Sequence, residues 1–400
     1  MGDPFRVRVT GPLVPYVAGF REELTERGYS SSAATAQLHL MAHLSRWLCG
    51  RGLGTADLTA GLVEEFVGER RSAGYANLVS SRALKALLGH LRGLGVMPVA
   101  APSANPMELL LEDYRRALMD GRGLAASTAG RYVNVARMFL VEVVGGDGFD
   151  LGGLSAGDVS GFVVRQGRRL SVGSTKDLVN SLRSFLRFLD SQGLIEGRLV
   201  SAVPAVASWR GASLPRALSA EQVSMLLETC DPDSAVGRRD LAMLTLLARL
   251  GLRAREVASL ELGDVDWRHG EIVVRGKGGR CERLPVPVDV GDAVVGYLCH
   301  GRPPVTCRAM FLRVCAPICG LGPKGVSGAV RSACVRAGLP AVGAHRLRHS
   351  AATAMLQAGS SLSDVGQVLR HNQLATTAIY AKVDRGALVG LAQQWPGGAA

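Results

Sequence analysis

Two arginines, two histidines, a lysine and a tyrosine occur along this 400-residue chain in an order that suits the breakage of a phosphodiester without a metal ion. They are Arg253, Lys277, His345, Arg348, His371 and Tyr380. The transition state of that reaction gathers negative charge on the non-bridging phosphate oxygens, so fixed cations there lower the barrier. Arginine suits the task because its planar fork grips two oxygens and stays protonated, which makes Arg253 and Arg348 the clamp. The attacking hydroxyl must lose a proton and the departing sugar oxygen must gain one. His345 fits the base and Lys277, between Gly276 and Gly278, fits the acid. Taken singly, each residue has a plainer reading. Arg253 is a helix-end cation meeting the macrodipole, Lys277 a solvated turn residue, and Tyr380 part of an amphipathic core. His345, Arg348 and His349 fall at spacings of three and four, as one polar helix face would. The inference rests on the set.

Elements to position that set are legible in three stretches. Residues 10–98 carry apolar residues at threes and fours (Phe20, Leu24, Leu38, Met41, Leu44, Trp47, Leu48), the period of an amphipathic helix. Pro98, Pro102, Ser103 and Pro106 then interrupt the pattern as a linker. Residues 107–204 are helical again. The second stretch resembles the first: Leu58–Val67 runs against Leu154–Val163 at an offset of 96, and Tyr29–Ser32 against Leu124–Ser127 at 95. Each copy reads as a bundle of about four helices. From residue 213 the chain mixes helices with short strands. Ser219 and Gln222 form a capping box. An apolar helix over Leu241–Leu250 stops at Gly251. Glu271–Arg275 and Cys281–Val286 flank Gly276-Lys277-Gly278-Gly279 as a hairpin with the lysine at its tip. The expected fold is mainly α with a small β-sheet, in three domains over 1–98, 107–204 and 213–400.

The net charge is +12, from 46 Lys and Arg against 34 Asp and Glu, and arginine supplies nearly all of it. Such an excess points to a polyanionic partner. Eight irregularly spaced cysteines do not form a disulfide framework; reduced thiols in a cytoplasmic protein are expected. Cys315, Cys319, Cys307 and His300 lack the second clean pair of a zinc site, so no metal is expected. The N-terminus shows no secretory signal, and no apolar run approaches the ~20 residues that span a bilayer. No Gly-x-x-x-x-Gly-Lys-Ser/Thr loop is present, and no cofactor is expected.

Gly251-Leu252-Arg253-Ala254-Arg255-Glu256, Gly276-Lys277-Gly278, His345-Arg346-Leu347-Arg348-His349, Leu369-Arg370-His371 and Tyr380 together resemble the tyrosine recombinases of the phage-integrase family. The resemblance implies two helical SAM-like DNA-binding domains, the second being the core-binding domain, followed by a mixed α+β catalytic domain. It implies that Tyr380 attacks the scissile phosphate to give a 3′-phosphotyrosyl link and a free 5′-hydroxyl. Arg253 and Arg348 would hold the phosphate, His345 act as base, Lys277 protonate the leaving oxygen and His371 hydrogen-bond a phosphate oxygen. Glu256 would support the Arg253 helix. Double-stranded DNA is the implied partner, with a homotetramer acting on two duplexes and sister recombinases as further partners. The two helical segments are similar to the longer integrases of mobile elements, including the larger members of recombinase-in-trio clusters. A catalytically silent DNA-binding partner and a type IB topoisomerase are the alternatives. The chain departs from the family where glycine usually precedes His371: Arg370 stands there, either contacting the DNA backbone or turned away.

Overall fold

The computed structural model describes residues 7–98, 105–144, 151–207, 217–276 and 280–370, together with Thr377 and Tyr380. Lys277 and His371 lie outside the described residues. By its internal contacts the chain forms two compact units, one of Met97–Arg210 and one joining Met1–Val96 with Gly211–Ala400. By contacts the N-terminal helices group with the last part of the chain. Within that unit the amide of Ile318 donates to the carbonyl of Arg27 at 2.8 Å.

The N-terminal helices are α1 (Val17–Glu26), α2 (Ser31–Gly50), α3 (Ala60–Ser72) and α4 (Lys85–Gly93). Phe20, Leu24, Leu38, Met41, Leu44 and Leu48 are buried as their spacing requires. Trp47 differs: it is only half-buried, and its indole N–H donates to Glu69 at 2.7 Å. A Trp keeps a polar atom that has to be satisfied, and this edge of the bundle supplies the partner.

The Met97–Arg210 unit contains α5 (Pro106–Arg116), α6 (Ala126–Val143), α7 (Ala156–Gly167), α8 (Val172–Ser191) and the short α9 (Arg198–Ser201). Its core gathers Leu111, Tyr114, Phe139, Phe162, Phe185 and Leu189. Helices α2 and α6 begin 95 residues apart, and α3 and α7 begin 96 apart. Thr59 and Ser155 cap the second pair through their hydroxyls. The parallel weakens at α4, which has 9 residues where α8 has 20. Gly74, at φ +82°, and Leu78, at φ +54°, turn the chain out of helix before α4.

In the last part, α10 (Ala220–Glu228), α11 (Ala235–Arg249) and the short α12 (Ala254–Ala258) precede a three-stranded antiparallel sheet. Its strands are β1 (Val265–Asp266), β2 (Glu271–Arg275) and β3 (Cys281–Pro285), in the order β1-β2-β3. The β2–β3 register pairs Arg275 with Cys281, closing the expected hairpin. Strand β1, too short to carry a period, was not legible in the sequence. Then follow α13 (Val288–His300), α14 (Pro323–Arg336), α15 (His345–Gln357) and α16 (Leu362–Val368). Ser219 accepts from the Gln222 amide, and the Gln222 side chain accepts from the Ser219 amide. The core of this part includes Leu244, Leu247, Leu252, Val257, Ile272, Val274, Val330 and Leu347, so it joins α11, α12, the sheet, α14 and the first turn of α15. No described helix is long and apolar enough to cross a membrane.

Gly251 ends the approach to α12 at φ +58°. A Cβ there would lie 2.5 Å from Cδ2 of the buried Leu369. Both the left-handed backbone and that contact demand glycine. Gly251→Ala is expected to lower stability by about 1–3 kcal/mol, read as a fall in the urea midpoint; an unchanged midpoint would show that this turn relaxes without cost.

Candidate active site

Three segments distant in sequence meet here: the start of α12, the first turns of α15 and the end of α16. Arg253 is the N-cap residue of α12. Its backbone amide donates to Glu256 Oε2 at 2.8 Å and its Nη1 to Glu256 Oε1 at 2.6 Å. Glu256 is only 3% exposed. Burial would push its carboxyl up, but the Arg253 amide and the Arg370 and Arg253 guanidinium groups outweigh that and hold it below its ordinary value. The supporting role expected of Glu256 matches this geometry.

Arg348 is 1% exposed and sits one turn into α15. Its Nη1 donates to the Gly251 carbonyl at 2.6 Å, and its Nη2 donates to the Leu369 carbonyl. Burial, with Arg253 close by, brings its guanidinium down to about 10, so it remains a cation at neutral pH. Among the described residues, this buried cation is held by carbonyls, which carry no formal charge, and forms no ion pair. Arg253, Arg348 and Arg370, among the described residues, gather near the carboxylate of Glu256, an excess of positive charge that an anion would neutralise.

Arg370 resolves the departure noted in the sequence. It turns inward: the residue is buried, its Nη2 donates to Glu256 Oε2 at 2.9 Å, and its Nη1 donates to the Val368 carbonyl at 3.0 Å. Its φ is +55°, the left-handed region in which glycine is at ease and other L-residues cost about 1–2 kcal/mol. That conformation closes α16, with the Arg370 amide donating to Gln367 at 2.8 Å. The backbone demand accounts for glycine at this place, and the Glu256 ion pair offsets the strain of having arginine instead.

Tyr380 is 1% exposed, packed among Ala352, Leu356, Val365 and Leu369. Nearby Thr377 is also buried and lies against Gly366 of α16. The Tyr380 hydroxyl and His349 Nδ1 are 2.8 Å apart, with the rings edge-on at 5.4 Å between centroids. Burial pushes the phenol up, while Arg348 and Arg253 pull it back. His349 is driven down to about 4 by burial and by His345, Arg346 and Arg348. His345 is lowered by burial, Arg348 and Arg253, and its ring meets that of His349 edge-on at 4.4 Å. Both histidines are therefore held toward their neutral forms.

Of the six residues singled out in the sequence, the structure brings Arg253, His345, Arg348 and Tyr380 into one locus; Lys277 and His371 lie outside the described residues. Glu256, Arg370 and His349 complete the locus. His349 was visible only as the fourth residue after His345, one helical turn on. Among the described residues no group of three or more His, Cys, Asp or Glu side chains is arranged to hold a metal.

A cation-rich locus with a tyrosine hydroxyl beside an imidazole held toward its neutral form suits the exchange of phosphodiester bonds. The model of the phage integrase family matches residues 216–386. Over 395 residues the chain is 41% identical to a relative named as an integrase/recombinase, y4rA, from Sinorhizobium fredii, covering 97% of this chain and 95% of that one. It is 32% identical over 296 residues to tyrosine recombinase XerD of Mycobacterium tuberculosis, covering 69% of this chain and 94% of that protein. Among solved structures, XerH site-specific recombinase in a post-cleavage complex with its difH substrate aligns at TM-score 0.55 and 19% identity, over 84% of this chain and 95% of that one. A DNA-bound dimer of lambda integrase aligns at TM-score 0.53 and 16% identity, over 70% and 95%. The chain belongs to the phage-integrase family of tyrosine recombinases. Its fold is the one expected: mainly helical, with a small sheet in the recombinase catalytic part.

Proposed function

We propose that this recombinase moves a mobile element by cutting and rejoining DNA at specific sites, with Tyr380 as nucleophile. The observation that carries the reading is the convergence of the buried Tyr380 hydroxyl with Arg348 and Arg253, the cations that pull its phenol back toward ionisation. Arg253 and Arg348 hold the scissile phosphate; His345 assists in proton transfer beside them. Lys277, which falls between β2 and β3 in the sequence, protonates the departing 5′-oxygen, and His371 hydrogen-bonds a phosphate oxygen. The covalent 3′-phosphotyrosyl link conserves the energy of the broken bond, so rejoining needs no nucleotide.

Residues 1–98 and 107–204 act as two helical DNA-binding domains, with 213–400 as the catalytic domain. The net charge of +12 supports a duplex partner, and the DNA complexes of the solved relatives support it further. The assembly is a homotetramer on two synapsed duplexes, with sister recombinases as further partners. The integrase name of the relative from Sinorhizobium fredii supports the mobile-element role.

The test starts with duplexes selected by the full chain from a random-sequence pool, then nicked near the bound site so that cleavage releases a short fragment. An SDS-resistant protein–DNA adduct should accumulate, and peptide mapping should place the nucleotide on Tyr380. Tight specific binding with no adduct would make the chain a silent partner. Relaxation of any supercoiled plasmid without site preference would make it a topoisomerase.

A further inference from the structure

We propose that Arg370 is a positioning residue that aims the Arg253 guanidinium at the scissile phosphate and leaves its charge free to act there; the inference rests on the recombinase reading above. Arg253 is held from two sides, and Arg370 stands behind both. On one side, Arg253 Nη1 donates to Glu256 Oε1 at 2.6 Å, while Arg370 Nη2 donates to Oε2 of the same carboxylate at 2.9 Å. On the other, Arg253 Nη2 lies 3.5 Å from the Arg370 main-chain carbonyl. The peptide group is planar, so the direction of that carbonyl follows from the backbone torsions of Arg370. That backbone is left-handed, at φ +55°, and the side chain pins it by donating from Nη1 to the Val368 carbonyl at 3.0 Å. Side chain and main chain of one residue thus fix where the Arg253 fork points.

The charges divide in the same way. Arg370 and Glu256 are buried, their side chains 4% and 3% exposed, whereas that of Arg253 is 39% exposed. Were Glu256 to answer Arg253 alone, the pair would present almost no net charge to an arriving phosphate. With Arg370 neutralising the carboxylate from within, the cation left over is the one that a substrate can reach. Two costs accompany this arrangement: a left-handed backbone at a residue other than glycine, and a buried Nε with no hydrogen-bond partner among the described residues. Glycine would incur neither. Such costs persist where the surrounding site over-determines them, as in catalytic centres.

The experiment measures single-turnover adduct formation on the nicked duplexes for Arg370→Gly, Arg253→Lys and the two combined, with binding followed by gel shift. Release of the short fragment lets adduct accumulate, so slow variants remain measurable. Glycine accepts the same backbone without strain and removes only the side chain. Arg370→Gly should bind DNA within about twofold of wild type and form adduct at least about tenfold more slowly, within the range expected when a catalytic group is misplaced by about 1 Å. In the Arg253→Lys background the same change should cost at least about threefold less, because the fork it aims is already gone. A merely structural role would give the same loss in both backgrounds. A smaller loss from Arg370→Gly, or losses that agree within about threefold in the two backgrounds, would overturn the proposal. If Arg370→Gly does not fold, Arg370→Lys takes its place, since it keeps a cation for Glu256 with a single point of attachment. It should slow adduct formation at least about threefold in the wild-type background and not measurably beside Arg253→Lys; equal slowing in both would overturn the proposal. Failure of the underlying reading looks different: the wild type would form no adduct, or the mapped nucleotide would sit on a residue other than Tyr380.

Discussion

Tyr380→Phe should bind its selected duplex as the wild type does and form no SDS-resistant adduct at all. The substitution removes one oxygen and keeps the ring that fills the space among Ala352, Leu356, Val365 and Leu369. The lost hydrogen bond to His349 is a neutral one, worth about 1 kcal/mol, so the fold persists. No other atom of the ring can make an ester to phosphorus, so the loss is complete and not a matter of rate. Burial holds the phenol protonated at rest, which means the free protein stores no reactive phenolate. On the proposed reading the proton leaves only once the phosphate is gripped, which would tie the cut to DNA binding. Gel-shift titration and trapping on the same nicked duplex make the comparison, and an adduct from Tyr380→Phe would move the nucleophile elsewhere.

Glu256→Ala is expected to be the most destabilising single change in the site. One buried carboxylate answers the guanidinium groups of both Arg253 and Arg370 and also accepts from the Arg253 amide. Its removal takes the ion-pair partner from the buried Arg370, a loss of about 3–5 kcal/mol when one partner of a buried pair is deleted. For a domain of this size that is a fall of roughly 10 °C in melting temperature. The double variant Glu256→Ala with Arg370→Gly should recover part of the loss, because it removes one unpaired cation and returns glycine to a left-handed position. The pH dependence has a definite sign. Glu256 is held below its ordinary 4.5 in the folded protein. Its contribution is therefore present above pH 4.5 and fades as the pH falls through its lowered folded value. The gap between wild type and Glu256→Ala should narrow over that acid range. A gap independent of pH, or a double variant no better than the single, would deny the shared-carboxylate account.

What was legible from residues alone was everything local or strictly ordered. Ser219 with Gln222 capped α10 because a hydroxyl and an amide three residues apart satisfy the same helix end wherever that helix lies. The two strand-like runs Glu271–Arg275 and Cys281–Val286 on either side of a glycine-rich stretch were enough for the hairpin. The succession Arg253, Lys277, His345, Arg348, His371 and Tyr380 named the chemistry, since the reaction constrains residue types more tightly than it constrains their surroundings. Pairings across the chain were not legible. Arg370 reaches Glu256 over 114 positions, Arg348 reaches the Gly251 carbonyl over 97, and His349 meets Tyr380 over 31. Each contact exists because α12, α15 and α16 pack at one place, and packing depends on the summed burial of many side chains, which no short motif encodes. The inward turn of Arg370 and the choice of His349 as the tyrosine's neighbour belong to the tertiary structure, where desolvation and distance set both which groups meet and which are charged.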